Sequence, residues 1–65
     1  MMRQNKLREL RMKKDVTQRA VGYAIHRASS SYAHYEKSER NPDPETWELL
    51  AKYFGVSVGY IRGEE

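Results

Sequence analysis

Apolar residues recur along this chain at intervals of three and four, and the breaks between recurrences fall at residues that start or stop helices. A first helix is predicted from Gln4 to Lys14, with Leu7 and Leu10 on its inner face and Arg3, Lys6, Arg8, Lys13 and Lys14 mostly elsewhere. Thr17 is a good N-cap for a second helix, and Val16 before it is placed to pack on Val21 as a hydrophobic staple. That helix turns Val21 and Ile25 inward. Gly22 within it lowers helix propensity by about 1 kcal/mol against Ala, which implies a neighbouring helix crossing at short range.

A third helix is predicted from Ala28 or Ser29 to near Lys37, with Tyr32 and Tyr35 inward and Ser29, Ser30, Ala33, His34 and Lys37 outward. Its serines are mediocre helix formers, so packing must hold it. After a loop from Ser38 to Pro42, Asp43 as N-cap, Pro44 at the first helical position and Glu45 in the first turn open a fourth helix that stops at Gly55. Trp47, Leu50, Ala51 and Phe54 form its buried stripe. Ser57 caps a last short helix through Val58, Tyr60 and Ile61, ending at Gly63. The fold class is therefore all-α, a compact five-helix arrangement in one domain over residues 1–65. Its second and third helices lie about three residues apart, which is the outline of a helix-turn-helix.

That outline gives the third helix the role of entering a DNA major groove. Ser29, Ser30, Ala33 and His34 then occupy the positions facing base edges. Ser29, Ser30 and His34 can donate or accept hydrogen bonds, whereas Ala33 can only touch a thymine methyl. Phosphate contacts are expected from Gln18, Arg27, Lys37, Arg40 and Asn41, which flank that helix at both ends, with Arg19 as a weaker candidate. The reading side chains are short and offer no bidentate grip, so specificity needs help from DNA shape, water bridges or half-site spacing.

Charge supports this picture. The net charge is only +3, yet residues 1–40 hold ten Lys/Arg against four Asp/Glu, while residues 41–65 hold two against five. A solvated surface is the plain explanation of most charge runs, but segregation beside a helix-turn-helix favours a polyanion. Cysteine is absent, and His26 and His34 have no matched carboxylate pair nearby, so no metal or other cofactor is expected. The chain carries no nucleophile elbow, phosphate-binding glycine loop or paired buried carboxylates, so an enzyme is not expected. No apolar run approaches the length of a membrane span and the first ten residues lack a signal-like apolar stretch, which places the protein in the cytoplasm.

Several short motifs in order carry a wider likeness: LRELR at Leu7 to Arg11, Thr17-Gln18, Tyr35-Glu36, the P-x-P-E-T run from Pro42 to Thr46, LAKYFGVS from Leu50 to Ser57, and GYIRG at the end. With these the chain resembles the Cro and phage-repressor type (Xre-like) of helix-turn-helix from Leu7 to Gly63. The resemblance implies a sequence-specific regulator of transcription, a repressor of phage or mobile-element type, that binds a double-stranded DNA operator as a homodimer in a bacterial or phage-infected cell. It implies that Gln18 touches phosphate and that Arg11 and Glu36 form a structural ion pair joining the first helix to the end of the third. A bidentate guanidinium-carboxylate contact would fix the angle of the reading helix. Tyr60, on the last helix, is assigned to the dimer interface. Three departures from the family pattern suggest a looser turn: His26 where Gly is usual, Ala28 where Ser or Thr caps the third helix and leaves Ser29 as a substitute cap, and Gly22 in place of Ala.

Two other readings keep the same fold. One is a small modulator that binds a second regulatory protein through the third helix or the five tyrosines, Tyr23, Tyr32, Tyr35, Tyr53 and Tyr60. The other is the DNA-binding part of a longer repressor.

Overall fold

The computed structural model describes residues 5–64, which form α1 (Leu7–Lys14), α2 (Gln18–Ala24), α3 (Ser29–Glu36), α4 (Pro44–Phe54) and α5 (Val58–Arg62). No strand occurs among the described residues. Leu7, Leu10, Val21, Ile25, Tyr32, Tyr35, Leu50, Ala51 and Ile61 make one core to which every helix contributes. The α2 and α3 helices share the largest interface, while α1 braces α3 and α4, and α5 closes on α4.

Three helices begin as their sequence signals require. The side chains of Thr17, Asp43 and Ser57 accept hydrogen bonds from the backbone N-H of Ala20, Thr46 and Tyr60 respectively. The other two starts differ from expectation. Gln4, the expected start of α1, lies outside the described residues, and Asn5 and Lys6 precede the helix in non-helical form. Asn5 explains this locally, because its Oδ1 accepts the Leu7 N-H at 3.0 Å while its Nδ2 donates to the Tyr35 carbonyl at 2.8 Å. An amide that bonds the backbone in this way competes with the helix ladder. At α3, Ala28 itself is the N-cap in extended conformation without a side-chain cap, and Ser29 is already helical. Ser29 is therefore no substitute cap.

Replacing the exposed Ala28 by Ser supplies the missing acceptor. The expected gain is about 1 kcal/mol, which for a domain of this size raises the melting temperature by roughly 5 °C. Thermal unfolding followed by circular dichroism checks it; an unchanged midpoint would mean that the N-terminal amides of α3 are already satisfied.

The turn between α2 and α3 is tight, contrary to the looser turn its residues suggested. His26 adopts φ +62°, the left-handed region, and the Arg27 and His26 N-H groups return to the Gly22 and Tyr23 carbonyls at 2.8 and 3.1 Å. This is a Schellman closure, with histidine where glycine is favoured. Gly22 answers the close-approach expectation: a Cβ there would stand 3.0 Å from the Arg27 carbonyl oxygen and 3.2 Å from Ser29 Cα. The same left-handed ending recurs after α1 at Asp15 and after α3 at Ser38.

The stripe on α4 is less buried than its periodicity implies. Leu50 and Ala51 enter the core with the fully buried Thr46, but Trp47 and Phe54 are only half-buried, as is Val58 on α5. The five-residue α5 is too short to cover both edges of α4, so the Arg62 guanidinium lies over the Trp47 ring and the Tyr53 ring meets Phe54 edge-on.

Candidate nucleic-acid interface

The first two turns of α3 carry Ser29, Ser30 and Ala33 on a face that is open to solvent and abuts the start of α2. Together with Arg11, Asp15, Val16, Thr17, Gln18 and Arg19 they line a groove of about 610 Å³. Three of the four expected base-facing residues therefore stand together, with the Arg19 and Gln18 side chains beside them. His34 stands outside this groove, one turn beyond Ser30, with its ring held by Glu39 at 2.8 Å.

The end of α3 is anchored by Glu36. Its Oε2 accepts from Arg11 Nε at 2.6 Å and its Oε1 from Gln18 Nε2 at 3.2 Å, so one carboxylate joins α1, α2 and α3. Arg11 also donates from Nη1 to the Val16 carbonyl at 3.0 Å. Both partners are largely withdrawn from water, at 18% side-chain exposure for Arg11 and 4% for Glu36. Burial pushes the Glu36 carboxyl up, and Arg11 first, then the neighbouring Tyr32 hydroxyl and Gln18 amide, together outweigh it, leaving the group below its ordinary value. Tyr32 is packed against this pair with its hydroxyl buried and without a well-formed hydrogen bond among the described residues. Burial, and then the adjacent carboxylate, hold that phenol neutral far above its usual range.

A second groove, of about 430 Å³, runs past the same anchor and is lined by Asn5, Arg8, Arg11, Gln18, Glu36 and Lys37. Lys37 is exposed at the C-cap of α3, and Arg40 and Asn41 are exposed on the loop beyond it. Gln18 borders both grooves while its amide serves Glu36, so its side chain positions α3 whatever else it touches. Arg8, which lines this groove, is not among the site residues the sequence singled out. Its place three residues before Arg11 puts both on one face of α1, a spacing that points to the α3 side of the molecule.

Arg27 does a different job from the one its position suggested. Instead of standing free at the groove, its guanidinium donates to Thr46 Oγ1 at 3.0 Å and to the His26 and Ile25 carbonyls at 3.1 and 3.4 Å, with Glu45 at 3.8 Å. It straps the turn onto the start of α4. Sequence spacing located Arg27 correctly beside α3 but could not say which way its long side chain runs.

Tyr60 is half-buried, with the Lys6 ammonium 4.4 Å from its ring centre. Tyr53 is likewise overlaid by Lys14 at 5.1 Å, and Tyr32 and Tyr35 are core. Of the five tyrosines only Tyr23, 85% exposed, offers an open ring. A contact surface made of all five does not exist.

Comparison with known proteins agrees with this geometry. The family model described as a helix-turn-helix domain matches residues 5–59. The cryptic phage CTXphi transcriptional repressor RstR of Vibrio cholerae is 39% identical over 57 residues, 88% of this chain and 51% of that protein. The HTH-type transcriptional regulator ImmR of Bacillus subtilis is 28% identical over 60 residues, 92% of this chain and 47% of the relative. The chain thus spans about half the length of the curated relatives it matches. Among solved structures, the P22 c2 repressor in complex with synthetic operator 9T superposes with a TM-score of 0.87 at 25% identity, over 92% of this chain and 91% of that one. No helix among the described residues is long and apolar enough to cross a membrane.

Proposed function

The chain belongs to the helix-turn-helix domain family, and from that premise we propose that it is a sequence-specific, double-stranded-DNA-binding regulator of transcription, a repressor and not an enzyme. The observation that carries the reading is the joint placement of α2 and α3. A closed turn fixes the two helices, the Ser29, Ser30 and Ala33 face lies open beside them, and cations stand on both flanks. The related repressors, one of them solved on operator DNA, support the same reading.

In this reading Arg8, Arg19, Lys37 and Arg40 neutralise phosphates and hold α3 in the major groove, with Asn41 adding a neutral contact. Ser29 and Ser30 exchange hydrogen bonds with base edges and Ala33 meets a thymine methyl. A homodimer on a two-fold operator would place two reading helices one DNA turn apart, at about 34 Å. Tyr60 is proposed for that interface, its partner packing beside the Lys6 ammonium.

Affinity for a selected operator across a salt series tests the proposal. Four neutralised phosphates give a slope of roughly −3 to −4 per protomer in log K against log salt. Lys37→Ala should weaken every sequence alike and make that slope shallower by about 1. Absence of DNA binding at low salt would remove the function and favour a protein partner for α3.

A further inference from the structure

Glu39 places a carboxylate at the far end of the reading helix, where it would repel DNA phosphate, within the otherwise basic first forty residues. Its geometry gives it a use. Its backbone N-H closes onto the His34 carbonyl at 3.0 Å, across the left-handed Ser38, and its Oε1 stands 2.8 Å from His34 Nδ1. Backbone and side chain of one residue therefore both return to His34. Both side chains remain open to solvent, at 48% exposure for His34 and 55% for Glu39. The bond to His34, with Lys37 adding its positive charge, keeps the Glu39 carboxyl below its ordinary value.

We propose that Glu39 is a specificity-determining positioning residue that fixes which ring nitrogen of His34 reads DNA and with what polarity. The inference rests on the DNA-binding role proposed above for α3, and extends it to His34, which is exposed one turn beyond Ser30 on the same helix. A carboxylate only accepts hydrogen bonds, so Nδ1 carries the hydrogen in this pair and Nε2 is the nitrogen left for a ligand. In the neutral ring Nε2 is an acceptor. Its partner must therefore present a donor in the major groove, the N6 amino group of adenine or the N4 amino group of cytosine, and not the acceptors of guanine or thymine. The serines impose no such choice, because a hydroxyl donates or accepts by rotating. His34 is thus the place on α3 where polarity is built in, and Glu39 is what builds it.

The test is selection of bound sites from a random duplex pool at pH 8.5, using the full chain, Glu39→Ala, His34→Ala and the double variant. The unsubstituted chain should favour adenine or cytosine at one position per half-site by about fivefold, the value of a single hydrogen bond. Glu39→Ala should flatten that position to under about twofold, leaving other positions, the salt slope and the melting temperature unchanged. His34→Ala should flatten the same position, and the double variant should do nothing more. Ala at position 39 keeps the backbone bond to His34, and an exposed pair adds little stability, so folding does not confuse the result. The proposal is overturned if Glu39→Ala retains the full preference, if it weakens all sequences equally, or if the position read by His34 favours guanine or thymine. A chain that binds DNA with steep salt dependence yet shows no preference there also overturns it, while leaving the DNA-binding reading intact. Failure to bind DNA at all removes that reading instead.

Discussion

Glu36→Ala should lower the unfolding free energy by about 3 kcal/mol and take most of the DNA affinity with it. The carboxylate belongs to α3 and touches α1 through Arg11 and α2 through Gln18. Its removal leaves a guanidinium with little access to water and without its counter-charge. Loss of one partner of a buried pair is more damaging than the pair is stabilising, and the lower end of the known range applies because Arg11 keeps its bond to the Val16 carbonyl. A chain of this length has a total stability of roughly 3–10 kcal/mol, so the variant stands near its unfolding threshold. Urea unfolding measures the loss.

The same residue predicts a pH dependence with a definite sign. The folded Glu36 carboxyl lies below its ordinary value of 4.5, so its contribution is complete above that value and disappears as pH falls through the lower folded value. Stability of the unsubstituted chain should therefore drop below about pH 4.5. Glu36→Gln should begin less stable at neutral pH and fall less steeply in acid. A residual slope will remain, because Glu39 and Asp43 are also held below their ordinary values by hydrogen bonds from His34 and Thr46. Parallel acid profiles for the two proteins would show that Glu36 is not the source.

Local signals are legible in this sequence, and the directions of its long side chains are not. Caps at Thr17, Asp43 and Ser57 and the stops at Gly55 and Gly63 could be read because each depends on one side chain and a backbone a few residues away. The inward positions of Leu7, Leu10, Val21, Ile25, Tyr32, Tyr35, Leu50 and Ala51 follow from periodicity alone. The Arg11 and Glu36 contact was reached only through family resemblance, since nothing local ties residues so far apart in sequence. What could not be read is where long polar side chains end. Arg27 runs to Thr46, Asn5 reaches the Tyr35 carbonyl, and Glu39 turns back to His34 only because Ser38 takes a left-handed conformation. The burial of Trp47 and Phe54 was overestimated for a related reason: a helical stripe shows which face points inward but not how much partner helix there is to cover it.

Gly22→Val should disrupt the packing of α2 on α3, with a loss of about 2–3 kcal/mol and of DNA affinity beyond what unfolding explains. The atoms a Cβ would meet are the Arg27 carbonyl oxygen at 3.0 Å and the Ser29 Cα and N at 3.2 and 3.3 Å, all of them backbone. Backbone atoms cannot rotate away, and these are pinned by the Arg27 N-H bond to the Gly22 carbonyl and by the Arg27 side chain on Thr46. Relief must come from moving α3 relative to α2, which displaces the Ser29, Ser30 and Ala33 face from the cations beside it. Gly22→Ala is the informative control. Its single methyl crowds the turn by a few tenths of an ångström while recovering about 1 kcal/mol of helix propensity, so its stability should stay close to that of the unsubstituted chain. Val adds two further methyls to the same contact and gains less propensity, so crowding wins. Melting curves with operator titrations at low temperature, where the folded fraction of each variant is known, separate the two effects. A Val variant that melts and binds like the Ala variant would mean that α2 and α3 are not held at this distance.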